Sequence, residues 1–408
     1  MSLIWIVNIL SVFFLCVFFA GIVIPQILLI AFRRRLFDEP DERKIHQCVV
    51  PRLGGMAFKP VVFFSFVLLL AVNVSTGHDE LLKEIGAEAL PLAYAFCAII
   101  MLYLVGIADD LIGVRYRAKF FIQIVCGIML VAGGVELSDL HGMLFIHSMP
   151  SWISIPLTVF VTVFIINAIN LIDGVDGLSS GFSIQAFICF AIINLVIGNQ
   201  RLALLALLGI GALLPFFFHN VFGRTSKMFI GDGGTLVIGA IFATLVISLL
   251  SDDQLTFRLP ERLGLIPFTL AVMCIPVFDT LRVMTSRIVR HKSPFSADKT
   301  HLHHLFIDLG FSHIGTTLCI LALNLSVILI WWLSYSLGAS IDVQFYIVLL
   351  LSISVTFLFY GFMRRQIKHQ TALYRAARRL AGAIHLRRRP LFIFLQRLAD
   401  GKGIKGRI

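Results

Sequence analysis

The sequence predicts an all-α, polytopic membrane protein, and three observations carry that prediction. Hydrophobic residues make up 58% of the 408-residue chain and charged residues only 14%, against the roughly 25% charge that a water-facing surface needs. Mean hydropathy is +0.93. The apolar residues fall in continuous runs long enough to cross a bilayer as helices, about 20 residues each, without the alternation of a membrane barrel.

Eleven such runs are expected, near 3–32, 56–76, 89–108, 118–134, 151–172, 182–198, 201–219, 233–251, 263–286, 315–336 and 344–363. Eleven spans place the two termini on opposite sides. Thirty of the 34 Lys and Arg fall in one set of loops and the tail; the other set holds only Lys83, Arg201, Arg258 and Arg262. The basic set is therefore expected on the cytoplasmic side, with the N-terminus outside and the C-terminus inside. The first run lacks a basic leader and is followed by Arg33-Arg34-Arg35, which reads as an anchor rather than a cleaved signal. Residues 1–363 form the membrane domain. The basic tail, 364–408, holds 13 Lys and Arg and one acid, Asp400; it is either an inside-retention signal or a surface helix on anionic lipid with Leu391, Phe392, Phe394 and Leu395 turned inward. The formal charge of +11 does not point to nucleic acid, because the aromatics lie inside apolar runs. The seven cysteines show no metal-type or disulfide-type spacing.

Polar residues are costly in such a chain, so their clusters are the candidate sites. Five lie at the basic ends of the spans. Asp38 to His46, running on to Arg52-Leu53-Gly54-Gly55, is either a solvated loop or, through Lys44, His46 and Arg52, a flap over an anionic ligand. Asp109-Asp110, with Lys119 following, are adjacent carboxylates that need a cation, either a divalent metal or a lysine. Asn167, Asn170, Asp173 and Asp176 recur at every third position, and in a helix they form one polar stripe of hard oxygen donors suited to Mg2+. Gly231-Asp232-Gly233-Gly234-Thr235, preceded by Asn220, Arg224 and Lys227, sets a carboxylate among glycines at a helix start, suited to phosphate or a metal–phosphate pair. His301, His303 and His304 lack ordinary zinc spacing and suit contacts to a pyrophosphate. Collected on one face, these groups suit the joining of two anions at a membrane. An ion-coupled transporter is the competing class, but transporters hold their acids near mid-membrane.

The motifs RKIHQCVVPRLGG, GIADD with a following Lys, NAINLIDGVDGL, FIGDGG and SPFSADKTHLHHL, in that order over about residues 37–313, resemble those of the polyprenyl-phosphate N-acetylhexosamine-1-phosphate transferases. The likeness is greatest to the bacterial branch that loads N-acetylglucosamine-1-phosphate onto undecaprenyl phosphate at the start of O-antigen, common-antigen or teichoic-linkage synthesis. The resemblance implies a bundle of about ten helices with a groove on the cytoplasmic side and one late helix bent. It implies attack by the lipid phosphate on the sugar-bearing phosphorus of a UDP-sugar, with UMP leaving, in the bacterial inner membrane and often in a homodimer. Carried over by motif, Asn170 and Asp232 would hold Mg2+ (or Mn2+), and Asp109 and Asp110 would be the catalytic carboxylates, with Asp109 favoured to act on the lipid phosphate. Asp173 and Asp176 would line the nucleotide pocket, Asp176 facing uracil and Asn220 nearby. His301, His303 and His304 would contact the diphosphate, and Lys44, Arg52 and Lys119 the phosphates. The Gly233-Gly234-Thr235 run departs from the usual small residue, Gly and Ser. The His segment favours the N-acetylglucosamine branch over the muramyl-pentapeptide branch, which usually runs three consecutive His. N-acetylfucosamine and N-acetylquinovosamine remain open as sugars, and Asp279 has no assigned role.

Overall fold

A computed structural model describes residues 3–34, 36, 50–251, 262–294, 299–383 and 389–404. In chain order its helices are α1 (Leu3–Arg34), α2 (Phe58–Ser75), α3 (Glu80–Ala87), α4 (Ala89–Ile112), α5 (Tyr116–Ala132), α6 (Ser151–Leu171), α7 (Leu178–Val196), α8 (Gln200–Phe222) and α9 (Asp232–Ser251). There follow α10 (Leu265–Val272), α11 (Cys274–Val289), α12 (Leu302–Asp308), α13 (His313–Ser336), α14 (Ile341–Ile353), α15 (Phe359–Lys368), α16 (Ala372–Ala383) and α17 (Pro390–Ile404).

Among the described residues nine helical stretches are long and apolar enough to cross a membrane, and the bent α10–α11 pair makes a tenth. The chain is a multi-pass membrane protein. The fourth expected span is α5, which at 17 residues falls just short of those nine. The last span runs through a π-helical turn, Ser354–Leu358, that joins α14 to α15.

At the centre stands α9. It is apolar on every side after its first residue, and 94% of its crossing segment is buried within the protein, as a helix without a polar face must be. Helices α4 and α6 pack along it. Gly106 of α4 allows the closest approach: a Cβ there would stand 2.6 Å from the Asp232 carbonyl oxygen. The C-terminal ends of α4 and α6 thereby meet the N-terminal end of α9, and this junction carries the site.

The expected run over 263–286 is two helices meeting at 73°, the one late bent helix that the resemblance implied. The cause lies in the sequence. Pro276 has no N–H to give the Val272 carbonyl four residues back. Asn324 of α13, fully buried, replaces what is lost: its amide donates to Val272 O (3.1 Å) and its oxygen accepts from Ile275 N (3.2 Å). A bend in lipid survives only with such a substitute.

The tail is docked onto the bundle. Phe392 of α17 is buried against Val221 and Ile314, while Leu391, Phe394 and Leu398 are exposed. The expectation that Phe392 faces lipid with Leu391 and Phe394 is thus corrected: positions 391, 394 and 398 share one helix face, and Phe392 points off it into the protein.

Candidate active site

Three backbone hydrogen bonds fasten the 51–55 segment to the start of the FIGDGG motif: Phe229 N to Pro51 O (2.8 Å), Gly54 N to Phe229 O (2.9 Å) and Gly55 N to Ile230 O (2.7 Å). They fix where α9 begins. Its first two amides, Asp232 N and Gly233 N, donate to the two carboxylate oxygens of Asp110, each at 2.8 Å. The helix start that suited a phosphate is therefore capped by a carboxylate from α4, and the capping sets Asp232 in place.

Asp109, the neighbour of Asp110, closes the turn into α5 by accepting from Val114 N (2.7 Å). That turn brings Lys119 back over the site. Its ammonium bridges Asp109 Oδ2 (3.1 Å) and Asp232 Oδ2 (2.8 Å), holding the two carboxylates on either side of it. From α6, the Asn170 amide donates to Thr235 Oγ1 (2.8 Å), one turn along α9 from Asp232. Asp109, Asp110, Lys119, Asn170 and Asp232 thus come together from four helices.

The polar stripe is interrupted. α6 ends at Leu171, so Asn167 and Asn170 lie on the helix and Asp173 and Asp176 on the turn that follows. Asn167 faces sideways onto Gln123 of α5 (2.6 Å), a partner that sequence spacing could not indicate. Asp173 is exposed at the mouth of the site. The protein crowded around it and the Asp232, Asp110 and Asp176 carboxylates push its pKa up to about 7, against the pull of Arg52. Arg52 itself is exposed.

Asp176 is buried. Burial opposes its ionisation, but the hydrogen bond and charge of His313 (2.9 Å) and of Lys227 (2.7 Å) win, holding it at about 2. Asn220 is spent on backbone: its oxygen accepts from Gly177 N (2.6 Å) and its amide donates to Met228 O (2.8 Å). It fixes the turn that carries Asp176.

The histidines form a separate wall. Asp279 of α11, unassigned from sequence, accepts from His301 Nδ1 (3.0 Å), Arg282 Nη2 (2.6 Å) and Leu302 N (3.2 Å). The His301 and His303 rings are parallel, 5.7 Å apart, and His304 stands 4.3 Å from His303. His303 packs on Gly174, where a Cβ would lie 2.2 Å from Nε2. Burial, then the neighbouring His304 and His301, lowers the His303 pKa well below its ordinary value, so it is neutral near pH 7. Lys44 and the rest of the 37–49 segment lie outside the described residues.

The donors at the junction are oxygens, the hard type that Mg2+ takes. Among the described residues no three His, Cys, Asp or Glu side chains converge as a metal cage. Mg2+ is usually held by one or two carboxylates together with substrate phosphates, and Asp232 with Asp109 and the Asn170 oxygen fits that mode. Lys119 lies between the two carboxylates, where a cation is wanted.

Comparison with known proteins now decides the lineage. The sequence profile of glycosyl transferase family 4 matches residues 92–250, which span Asp109, Asp110, Asn170 and Asp232. The chain is 31% identical over 346 residues to the probable undecaprenyl-phosphate N-acetylglucosaminyl 1-phosphate transferase of Bacillus subtilis, covering 84% of this chain and 87% of that protein. The chain belongs to glycosyl transferase family 4. The undecaprenyl-phosphate alpha-N-acetylglucosaminyl 1-phosphate transferase of Escherichia coli is 32% identical over 287 residues, 68% of this chain and 70% of its own. The decaprenyl-phosphate N-acetylglucosaminephosphotransferase of Mycolicibacterium smegmatis is 31% identical over 293 residues, covering 67% and 69%.

Proposed function

We propose that this chain transfers N-acetylglucosamine-1-phosphate from UDP-N-acetylglucosamine to undecaprenyl phosphate, releasing UMP. The observation that carries the reading is the meeting of Asp109 and Asp232 at Lys119, with Asn170 bonded to the same first turn of α9, together with the names of the relatives above. An oxygen of the lipid phosphate attacks the sugar-bearing phosphorus, a new P–O–P link forms, and the bond to the UMP oxygen breaks. In this reading Asp109 holds the lipid phosphate in its ionised, attacking state, and Lys119 steadies the transferring phosphoryl group. Asp110 keeps Asp232 and the first turn of α9 in register. In the same reading Asp173 and Asp176 serve the nucleotide half, His301, His303 and His304, backed by Asp279, serve the diphosphate, and Arg52, with Lys44 by motif, serves the phosphates. Asp232 and Asn170 would hold Mg2+, which when bound offsets the diphosphate charge and eases departure of UMP.

The site end of the bundle carries the Lys- and Arg-rich loops, which supports a cytoplasmic site in the inner membrane. The exposed Leu391, Phe394 and Leu398 stripe of α17, on a tail rich in arginine, supports contact with anionic lipid. The purified protein, offered undecaprenyl phosphate and a series of UDP-sugars with Mg2+, should yield a lipid product whose mass identifies the sugar. It should also exchange labelled UMP into UDP-N-acetylglucosamine. Undiminished exchange in Asp232→Ala would remove Asp232 from the site.

A further inference from the structure

The tail contains 13 Lys and Arg and a single acid, and that acid is committed. Asp400 Oδ1 accepts from three consecutive backbone amides, Arg224 N (2.9 Å), Thr225 N (3.0 Å) and Ser226 N (3.1 Å), and from the Ser226 hydroxyl (3.0 Å). Successive amides turned toward one point form a concavity that holds an anion. Ser226 is fully buried beneath the contact. About two turns earlier on α17, Phe392 packs between Val221 and Ile314, its ring 5.2 Å from that of Phe222.

The two places that α17 grips each adjoin a charged partner of the Asp176 carboxylate. Ser226 precedes Lys227, whose ammonium is 2.7 Å from Asp176 Oδ2; Ile314 follows His313, whose Nδ1 is 2.9 Å from the same oxygen. The Asp176 carbonyl accepts in addition from Thr317 Oγ1 (2.8 Å). We propose that α17 is a clamp: Asp400 and Phe392 position Lys227 and His313 on Asp176 and thereby set the affinity for the nucleotide half of the donor. Asp400 is a positioning residue in this scheme and touches no substrate. The inference rests on the assignment of Asp176 to the nucleotide side.

The test compares full-length wild type with Asp400→Ala, Asp400→Asn and Phe392→Ala in lipid nanodiscs, by amide hydrogen exchange and by steady-state transfer. In Asp400→Ala, exchange should rise across 224–227 and 173–178. KM for UDP-N-acetylglucosamine should rise about tenfold, the scale of one charge-assisted hydrogen bond, with kcat and KM for undecaprenyl phosphate nearly unchanged. Asp400→Asn keeps an acceptor oxygen and should recover much of the loss, and Phe392→Ala should shift the same KM from the other grip. Should Asp400→Ala fail to accumulate, these two variants carry the comparison. Unchanged KM despite lost protection overturns the clamp, as does a parallel rise in both KM values, which marks a purely structural contact. A fall in KM also overturns it, since the carboxylate would then be competing with a substrate phosphate for the 224–226 amides. A wild type inert toward every UDP-sugar refutes the proposed function instead, and exchange at 173–178 and 313–317 then decides the clamp alone.

Discussion

Asp176 shows how one buried carboxylate organises its surroundings. Its pKa in the folded protein, about 2, lies below the ordinary carboxylate value. The resulting stabilisation, on the order of 2 kcal/mol, is full above about pH 4 and disappears as the pH falls through 2. Asp176→Asn should therefore lower stability by about that amount from pH 5 to 8, and the gap to wild type should close under acid, as read by thermal unfolding in detergent. Asp110 behaves differently, because both its oxygens accept from amides. In Asp110→Asn the new NH2 faces one of those donors, leaving it unmet at a cost of about 1–3 kcal/mol; UMP exchange should drop at least about tenfold as the start of α9 shifts. Asp109, Asp110, Asn170 and Asp232 were legible in the sequence because a carboxylate or amide inside an apolar run demands a reason. Asp279 and Gln123 were not, since each is an isolated polar residue whose meaning comes from a partner tens of residues away, His301 or Asn167.

At the scale of helices, length and apolar content located a helix or bent helix pair at each expected run to within about five residues, though α5 is too short to count among the crossing helices. Neither could show what happens at the helix ends. The three-residue spacing of Asn167, Asn170, Asp173 and Asp176 suggested one continuous face; the glycines at 174 and 177 instead release the chain into a turn after Leu171. Pro276 was visible, yet its effect depended on whether a neighbour could supply the missing bonds, and Asn324 does. Asn324→Leu removes both the donor to Val272 O and the acceptor for Ile275 N in a fully buried setting. The variant should lose about 2–5 kcal/mol in all, measured by denaturant unfolding, and the histidine wall carried beyond α11 should be displaced with it. Asn324→Gln, with the same groups on a longer stem, should restore only part.

For the molecule as a whole, the sign pattern of the loops sets an orientation that reporters can check. A C-terminal alkaline phosphatase fusion should be inactive and a C-terminal fluorescent protein bright, with the reverse at the turn between α7 and α8; the opposite pattern would turn the site end of the bundle away from the cytoplasm. The division of labour is legible here too. One end, rich in Lys and Arg, gathers the reactive groups, and α9 runs from them through an apolar interior. What composition could not convey is that the tail is part of this architecture, because Asp400 finds its partners 174–176 residues earlier in the chain.

The capping of α9 by Asp110 has a consequence for biogenesis. More than a hundred residues separate the two partners, so α4 must leave the ribosome well before α9 exists. In that interval Asp110 has no amides to receive, and when α9 emerges its own start is bare until the two helices meet. Completion of the bundle and maturation of the reaction centre are one event. A nascent chain cut short before α9 is left with the Asp110 carboxylate unmatched, and the carboxylates of the junction are not brought together.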